Sequence, residues 1–196
     1  MKVSEYIYQV GEEMDKSGQP YFEKDDLLSR LKVETYKFID VNLPYVQFNQ
    51  RAKEDFSKIT KPFLLTTNSG GHFPFVVALF YRLVSISAKK GIKESIIVIH
   101  QSNDILKMIE DPFHTPTEDE YIGEIYDGGI KCYPTPDSVS GLNIVHPTFG
   151  SADNDELITE LPLNVQYHII QSVVASLMVT TGDSRFQMEF YQNGKQ

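Results

Sequence analysis

The sequence predicts an α+β fold in which the N- and C-terminal segments form a helical bundle and the middle of the chain forms a β-rich insertion. Two observations support this prediction. Near both ends, apolar residues recur at spacings of three and four, which places them on one face of a helix. Between the ends this periodicity fades, and β-branched and aromatic runs alternate with Pro and Gly. We therefore expect residues 1–60 and 157–196 to form a helical core and residues 61–150 to form the insertion.

Helices are predicted for the first part of the chain. The stripe of the first helix comprises Val3, Tyr6, Ile7, Val10 and Met14, and that of the second comprises Leu27, Leu28, Leu31, Thr35 and Phe38. Gly18 follows the first stripe in a position where glycine commonly ends a helix. Pro44 ends the second helix, because proline lacks a backbone N–H and clashes with the preceding turn. A shorter helix is predicted from the spacing of Phe48, Ala52 and Phe56.

The middle part is predicted to consist of short strands joined by turns. The predicted strands are residues 63–67, 76–87, 95–99, 121–126, 129–133 and 142–145. A short helix over residues 103–110 ends before Pro112. The sequence Asp127-Gly128-Gly129 predicts a hairpin turn between two of the strands, because glycine adopts a positive φ at little cost.

One long helix is predicted near the C-terminus. Pro162 suits its first turn, and Gly182 follows its last apolar position. The helix stripe comprises Val165, Ile169, Val173 and Leu177, and the tail beyond it, residues 183–196, holds Phe186, Met188, Phe190 and Tyr191. Because large apolar side chains are costly to expose to water, we expect this tail to become ordered on a neighbouring protein.

Composition and charge exclude several classes of protein. The chain has 196 residues and a formal charge of −9 at pH 7. This charge does not fit a tight nucleic-acid binder, which neutralises phosphates with clustered Lys and Arg. The single cysteine, Cys132, excludes an intrachain disulfide. No apolar window is long enough to span a membrane, and the N-terminus lacks the features of a secretory signal. We therefore expect synthesis in the cytosol and no membrane contact.

The sequence Ser69-Gly70-Gly71-His72 invites comparison with phosphate-binding and hydrolase loops. A phosphate loop requires Lys followed by Ser or Thr at the start of a helix, and neither follows here. A hydrolase nucleophile requires Gly-X-Ser-X-Gly at a strand-to-helix turn, and that pattern is missing too. We therefore predict a plain turn between strands.

Other reactive side chains form no recognisable site in the sequence. The histidines are His72, His100, His114, His146 and His168. They lack the i, i+4 spacing of a helical metal site. Lys131 could lower the pKa of Cys132 slightly, but no activating partner is identifiable, so a packed or strand-face cysteine is the favoured interpretation. The acidic stretches 118–120 and 153–156 lack EF-hand spacing and are predicted to be solvated loops. We expect no catalytic, cofactor-binding or metal-binding residues.

Aromatic residues are frequent, with 11 Tyr and 12 Phe but no Trp. Such side chains supply either core packing or contacts with partners. Four of them cluster in the sequence, namely Phe73, Phe75, Phe80 and Tyr81. Core packing is the favoured interpretation of this cluster, and binding of a ligand or a partner is the alternative.

Five short segments occur in an order that resembles a known family. They are residues 15–22 (DKSGQPYF), 110–116 (EDPFHTP), 126–134 (YDGGIKCYP), 160–162 (ELP) and 181–185 (TGDSR). Each segment alone is unspecific, but their succession covers most of the chain. It resembles that of the neck, or ring, proteins of tailed bacteriophages, in particular of the crAss-like phages that infect Bacteroidales.

The resemblance implies a virion structural protein at the head–tail junction. Such adaptors are helical bundles with a β insertion, and they form a ring of about twelve copies beneath the portal. The implied partners are other copies of the chain, the portal protein and other neck or tail rings. DNA passes through the channel without sequence-specific binding, and the family carries no catalytic residues or cofactors. We expect a chain that is largely monomeric alone and forms a ring on the portal, because acidic subunits repel one another.

Two alternatives remain open from the sequence. One is a small cytosolic α+β enzyme in which the loop Ser69–His72 lies near a binding site. The other is a monomeric peptide-binding or regulatory module. The mass of the chain in solution and its association with particles would separate these classes.

Overall fold

The computed structural model describes residues 1–17, 22–66, 71–75, 80–113, 115–126, 128–149 and 160–181. The chain divides into two compact units. The helical unit draws on Met1–Lys58 and Pro147–Gln196, and the sheet unit is Ile59–His146. The α-helices are α1 (Val3–Ser17), α2 (Lys24–Asn42), α3 (Gln50–Phe56), α4 (Ser102–Glu110) and α5 (Leu163–Thr181), and a short 3-10 helix, Leu43–Tyr45, follows α2. The strands are β1 (Thr60–Thr66), β2 (His72–Pro74), β3 (Arg82–Lys90), β4 (Lys93–Ile99), β5 (Tyr121–Tyr126), β6 (Gly129–Tyr133) and β7 (Ser138–Ile144).

Within the helical unit, α5 contacts both α1 and α2. The stripe that periodicity predicts for α5 is buried, and four of the five residues predicted for α1 are buried, whereas Ile7 is only partly buried. The buried members are Val3, Tyr6, Val10 and Met14 on α1 and Val165, Ile169, Val173 and Leu177 on α5. The hydroxyl of Tyr6 donates a hydrogen bond of 3.0 Å to the carbonyl oxygen of Leu27, and so joins α1 to α2. As individual elements, the predicted helices near both ends are confirmed.

The sheet unit contains one seven-stranded sheet with the strand order β1-β7-β3-β4-β5-β6-β2. Neighbouring strands are antiparallel except β4 and β5, which are parallel. The helix α4 lies in the connection between these two parallel strands, as helices commonly do, and it contacts β5. The sheet is nearly closed, because β1 and β2 at the two ends of the strand order also contact each other.

One face of the sheet carries the core of this unit. Its buried members are Phe73, Ile86, Ala88, Ile97, Tyr121, Ile130, Cys132 and Val139. Phe63 and Leu65 of β1 pack against this cluster and are partly buried. Because successive side chains of a strand point to opposite faces, the positions between these residues lie on the other side, which we call the outer face.

The predicted fold class is wrong. The fold is α+β, but one seven-stranded sheet is its principal framework, and the molecule is not a helical bundle of the terminal segments with an insertion. Helical periodicity identified single helices because it is a local signal. It says nothing about pairing between distant segments, such as that of Thr60 in β1 with Ile144 in β7. Pairing of this kind unites the middle of the chain into one framework.

Two strands differ from the sequence prediction. The sequence predicts a turn at His72, whereas His72 begins β2 and Phe73 pairs with Ile130 of β6. A strand of three residues is too short to show the alternation by which strands are identified. The long strand predicted over residues 76–87 is instead β3, which begins at Arg82, and residues 76–79 lie outside the described residues.

The third helix also begins later than predicted. The sequence predicts that Phe48 belongs to the apolar stripe of this helix, yet the side chain of Phe48 is 83% exposed. The helix α3 starts at Gln50, and the side chain of Asn49 caps it by accepting a hydrogen bond of 2.9 Å from the backbone N–H of Arg51. Asparagine is a favoured N-cap residue, and this cap leaves Phe48 outside the helix.

Candidate protein-docking surface

The glycine-containing loop Ser69–His72 is only partly described by the structure, because Ser69 and Gly70 lie outside the described residues. Gly71 has a φ of 76°, which is a turn conformation that glycine adopts readily. The Nε2 atom of His72 lies 3.1 Å from the carbonyl oxygen of Tyr126, a hydrogen-bonding distance at which the ring nitrogen donates. His72 is therefore engaged at a strand end.

The four histidines in the described parts of the chain have separate environments. The ring of His146 lies 5.2 Å from that of Tyr81, and the ring of His168 lies 5.8 Å from that of Phe38. His100 follows β4, and His114 lies outside the described residues. Over the parts of the chain that the structure describes, no group of three or more His, Cys, Asp or Glu residues could hold a metal ion.

Cys132 is a packed core residue. Its side chain is 1% exposed within the sheet core, and burial raises the pKa of its thiol from 9.0 to about 12. The packed cysteine that the sequence favours is confirmed, and Lys131 is not among the causes of the pKa shift. As the adjacent residue of the strand, Lys131 faces the opposite side, where its Nζ lies 5.2 Å from the centre of the Tyr133 ring. A thiol held in its neutral form is a poor nucleophile.

The acidic stretch 118–120 is exposed but forms ion pairs. Glu118 pairs with Lys90, and Asp119 pairs with Lys93. Both lysines belong to the hairpin of β3 and β4, so these pairs join the hairpin to the loop before β5. All four side chains are substantially exposed, and ion pairs of this kind contribute little stability. The other predicted acidic loop, residues 153–156, lies outside the described residues.

The predicted aromatic cluster divides between two environments. Phe73 is fully buried in the sheet core. The rings of Phe75 and Phe80 stack with their centres 3.9 Å apart, and the ring of Phe63 lies 5.6 Å from that of Phe80. Tyr81 contacts His146 instead. For Phe73, core packing is confirmed, and Phe63 and Phe75 pack against the same core.

An exposed apolar surface lies on the outer face of the sheet. It is formed by Leu64, Leu142, Ile96 and Val98, with exposed fractions of 67%, 40%, 77% and 53%. Leu142 pairs with Pro62, which precedes Leu64 by two residues, so Leu142 and Leu64 share a face. Ile96 and Val98 are likewise two residues apart on β4. We call Leu64, Leu142, Ile96 and Val98 the apolar strip.

The strand register places the residues of the apolar strip in two groups, one on β1 and β7 and the other on β4, on the same face of the sheet. Leu64 of β1 is opposite Ser140 of β7, Ser140 is opposite Ser87 of β3, and Ser87 is opposite Ile96 of β4. Directly opposed residues of paired strands point to the same face. The apolar residues thus lie at the two ends of this row, with small serine side chains between them.

The centre of the outer face is polar. The Ser87 hydroxyl donates a hydrogen bond of 2.5 Å to Oε1 of Glu94, and its oxygen lies 3.1 Å from the Ser140 hydroxyl oxygen. Among the described residues, the contacts of these hydroxyl groups are with Glu94, with the backbone of Ser140 and with each other. What the face offers is apolar side chains and short polar groups for contact with another chain.

The apolar strip ends where α4 begins to cover the sheet. Val98 of β4 and Ile122 of β5 are neighbours in the parallel ladder. Ile122 is 8% exposed and α4 contacts its strand, whereas Val98 is 53% exposed. Two adjacent apolar residues on the same face therefore have different environments. The outer face is covered at β5 and open at β4.

One pattern in the sequence corresponds to this surface. Residues 95–99 (SIIVI) are apolar without alternation, a pattern that indicates a strand buried on both faces. The structure covers only one face of this strand, since Ile97 is 3% exposed and Ile96 is 77% exposed. Ile96 is therefore an exposed apolar residue on the outer face, as expected of a residue in a protein-docking surface.

Comparison of the chain with models of known protein families and with curated proteins yields no match. None of the helices in the described ranges is both long and apolar enough to cross a membrane.

Proposed function

We propose that this chain is a virion structural protein, a ring-forming subunit of a phage neck that connects the portal to the tail and forms part of the channel for the genome. The observation that carries the proposal is the apolar strip on the outer face of the sheet. The order of sequence motifs, which resembles that of phage neck proteins, supplies the kind of assembly.

The apolar strip supports a role in assembly for an energetic reason. Full burial of an aliphatic side chain contributes about 1.5–3 kcal/mol. Grouped apolar side chains that are exposed and rimmed by polar residues can mark sites of interaction. The reactive side chains described above are, by contrast, engaged in packing, as Cys132 is, or in strand-end hydrogen bonds, as His72 is. The favoured role is therefore binding of proteins.

A ring supplies the partners that such a surface requires. Each subunit contacts two neighbours through two different surfaces, and the rotation between copies must close. The remaining contacts are with the portal and with other neck or tail rings. A formal charge of −9 suits a channel wall, because negative groups repel DNA phosphates and allow the genome to pass without being held.

Two measurements test this proposal together. Analytical ultracentrifugation of the isolated chain should show a largely monomeric protein, and cryo-electron microscopy of the phage particle should show a ring of the chain at the head–tail junction. A stable dimer in solution with no copy at that junction overturns the proposal. Turnover in a broad hydrolase or transferase screen that His72→Ala abolishes would favour the enzyme alternative.

A further inference from the structure

We propose that the apolar strip receives the C-terminal tail, residues 182–196, of a neighbouring copy of this chain. This inference rests on the proposed function as a ring subunit, and it names the two surfaces that would form the contact between subunits. The tail lies outside the described residues. Its sequence and the geometry of the apolar strip support this contact.

The tail has the pattern of a segment that binds in an extended conformation. Phe186, Met188 and Phe190 alternate with Gln187 and Glu189. In an extended chain, alternate side chains point to the same side. The two phenylalanines and the methionine would then form one apolar edge, with the polar residues on the other edge facing water.

The dimensions of the two surfaces agree. An extended chain rises about 3.3 Å per residue, which separates Phe186 from Phe190 by about 13 Å. The apolar strip runs from Leu64 on β1 to Ile96 on β4, across three strand spacings of about 4.8 Å each, or about 14 Å. Phe186 and Phe190 can therefore reach the apolar residues at the two ends of the row, with Met188 over the serines at its centre.

Charge also favours this occupant. Residues 182–196 contain two acidic and two basic residues, namely Asp183, Glu189, Arg185 and Lys195, so the tail is neutral while the whole chain carries −9. A contact between two acidic subunits is opposed by their mutual repulsion. Because its charged side chains balance, this segment adds nothing to the repulsion.

Ring closure requires the tail to bind a neighbour and not its own subunit. A contact that joins two different surfaces, here a tail and a sheet face, is heterologous, and repetition of such a contact produces a ring when the rotation between copies closes. Val179 in the last turn of α5, the helix that precedes the tail in the sequence, is 58% exposed. Binding of the tail to the same subunit would occupy both surfaces and prevent the ring contact.

Photo-cross-linking of the full chain tests this inference. The photoreactive residue p-benzoylphenylalanine replaces Phe190, and unlabelled and ¹⁵N-labelled chains are mixed at about 1 mM, a concentration that populates weak complexes. Mass spectrometry of the cross-linked peptides then identifies both the surface and the copy to which the tail is bound. The same photoreactive residue in place of Tyr8, which is 64% exposed on the helical unit, is the positional control.

The expected result is cross-links from position 190 to peptides of β1 or β4 that carry the other isotope. The double variant Ile96→Lys/Val98→Lys should reduce their yield at least about tenfold, because it places two charges where the apolar edge would bind. Ile92→Lys is the matched control and should leave the yield unchanged, because Ile92 is fully exposed in the turn between β3 and β4. Circular dichroism verifies that both variants are folded.

The other outcomes overturn the inference and separate it from the proposed function. Cross-links confined to one isotope show that the tail binds its own subunit. Cross-links to another surface of a second copy, or no cross-links between copies, show that the tail does not bind the apolar strip. In each case a ring of the chain at the head–tail junction would still support the proposed function. Absence of the chain from that junction would remove the proposed function instead.

Discussion

Gly141 of β7 packs directly against the carbonyl oxygen of Ser85 in β3. A Cβ atom at position 141 would overlap this oxygen and would lie 3.0 Å from Cζ of Phe63. The contact is next to the shift in strand register between Leu83 and Ser85. Because β7 pairs with β1 on one side and with β3 on the other, this close approach lies where three strands are held together.

Gly141→Ala should therefore destabilise the protein. The added methyl group meets a backbone oxygen, which can move only if β3 and β7 separate. Overpacking of this kind costs typically about 1–3 kcal/mol of the free energy of unfolding. Urea denaturation followed by circular dichroism measures the change. Unaltered stability would show that the two strands can separate without loss of pairing.

Gly11→Ala should have the opposite effect. Gly11 lies within α1, and a Cβ atom at this position would meet nothing within 4 Å. Glycine in a helix interior costs about 0.5–1 kcal/mol relative to alanine, because it loses more conformational freedom on folding. We expect the free energy of unfolding to rise by this amount in the same denaturation experiment. A decrease would contradict the open space beside Gly11.

Tyr6→Phe should remove a buried link between two helices. The Tyr6 side chain is fully buried, and its hydroxyl donates to the carbonyl oxygen of Leu27. We expect the free energy of unfolding to fall by about 0.5–1.5 kcal/mol, the net contribution of a typical hydrogen bond. Tyr8→Phe is the control, since the Tyr8 hydroxyl bonds Glu12 at the surface and its loss should have little effect. Equal losses in the two variants would contradict the prediction.

The thiol of Cys132 should be inert in the folded protein. Burial raises its pKa from 9.0 to about 12, so at about pH 8 the thiolate fraction is about a thousandfold lower than in the unfolded chain. A chromogenic disulfide reagent at this pH should react promptly in guanidinium chloride and barely without it. Rapid labelling of the native protein would show that Cys132 is accessible.

The same shift predicts a dependence of stability on pH. Because the folded state holds the proton of Cys132 more tightly than the unfolded state, the neutral thiol contributes stability that is complete below pH 9.0 and is lost as the pH rises towards about 12. Burial also raises the pKa of Tyr6, which acts in the same direction at higher pH. Cys132→Ala should weaken the loss of stability just above pH 9.0, as measured by denaturation over a pH series.

Local patterns in the sequence were sufficient to predict α1 and α5. The stripes of α1 and α5 are periodic over their whole length, and the neighbours that bury them do not change which residues lie on one face. The strands β5 and β6 have the predicted bounds as well, because a glycine-containing turn separates two short β-branched and aromatic runs. In these elements the information lies within a few residues of each position.

The sequence predicts no active site, and this remains a prediction. The burial of Cys132, by contrast, has a physical cause that lies in the assembled sheet. From the sequence, Lys131 could have activated the thiol. The strand places these two side chains on opposite faces, and the depth of the core then decides the direction of the pKa shift. The pKa shift of Cys132 depends on which face of the sheet is covered, and two adjacent residues in the sequence do not specify that face.

The apolar strip illustrates most clearly what the sequence determines and what the tertiary structure determines. Composition and periodicity were enough to establish a folded α+β chain with helices near its ends and an apolar strand at residues 95–99. Which strands pair, and which face of each strand is covered, depended on contacts between segments distant in the chain. Ile96 and Ile97 are identical side chains one residue apart, yet one is 77% exposed and the other 3% exposed. Alternation along a strand separates them, and only the assembled sheet determines which of the two faces water.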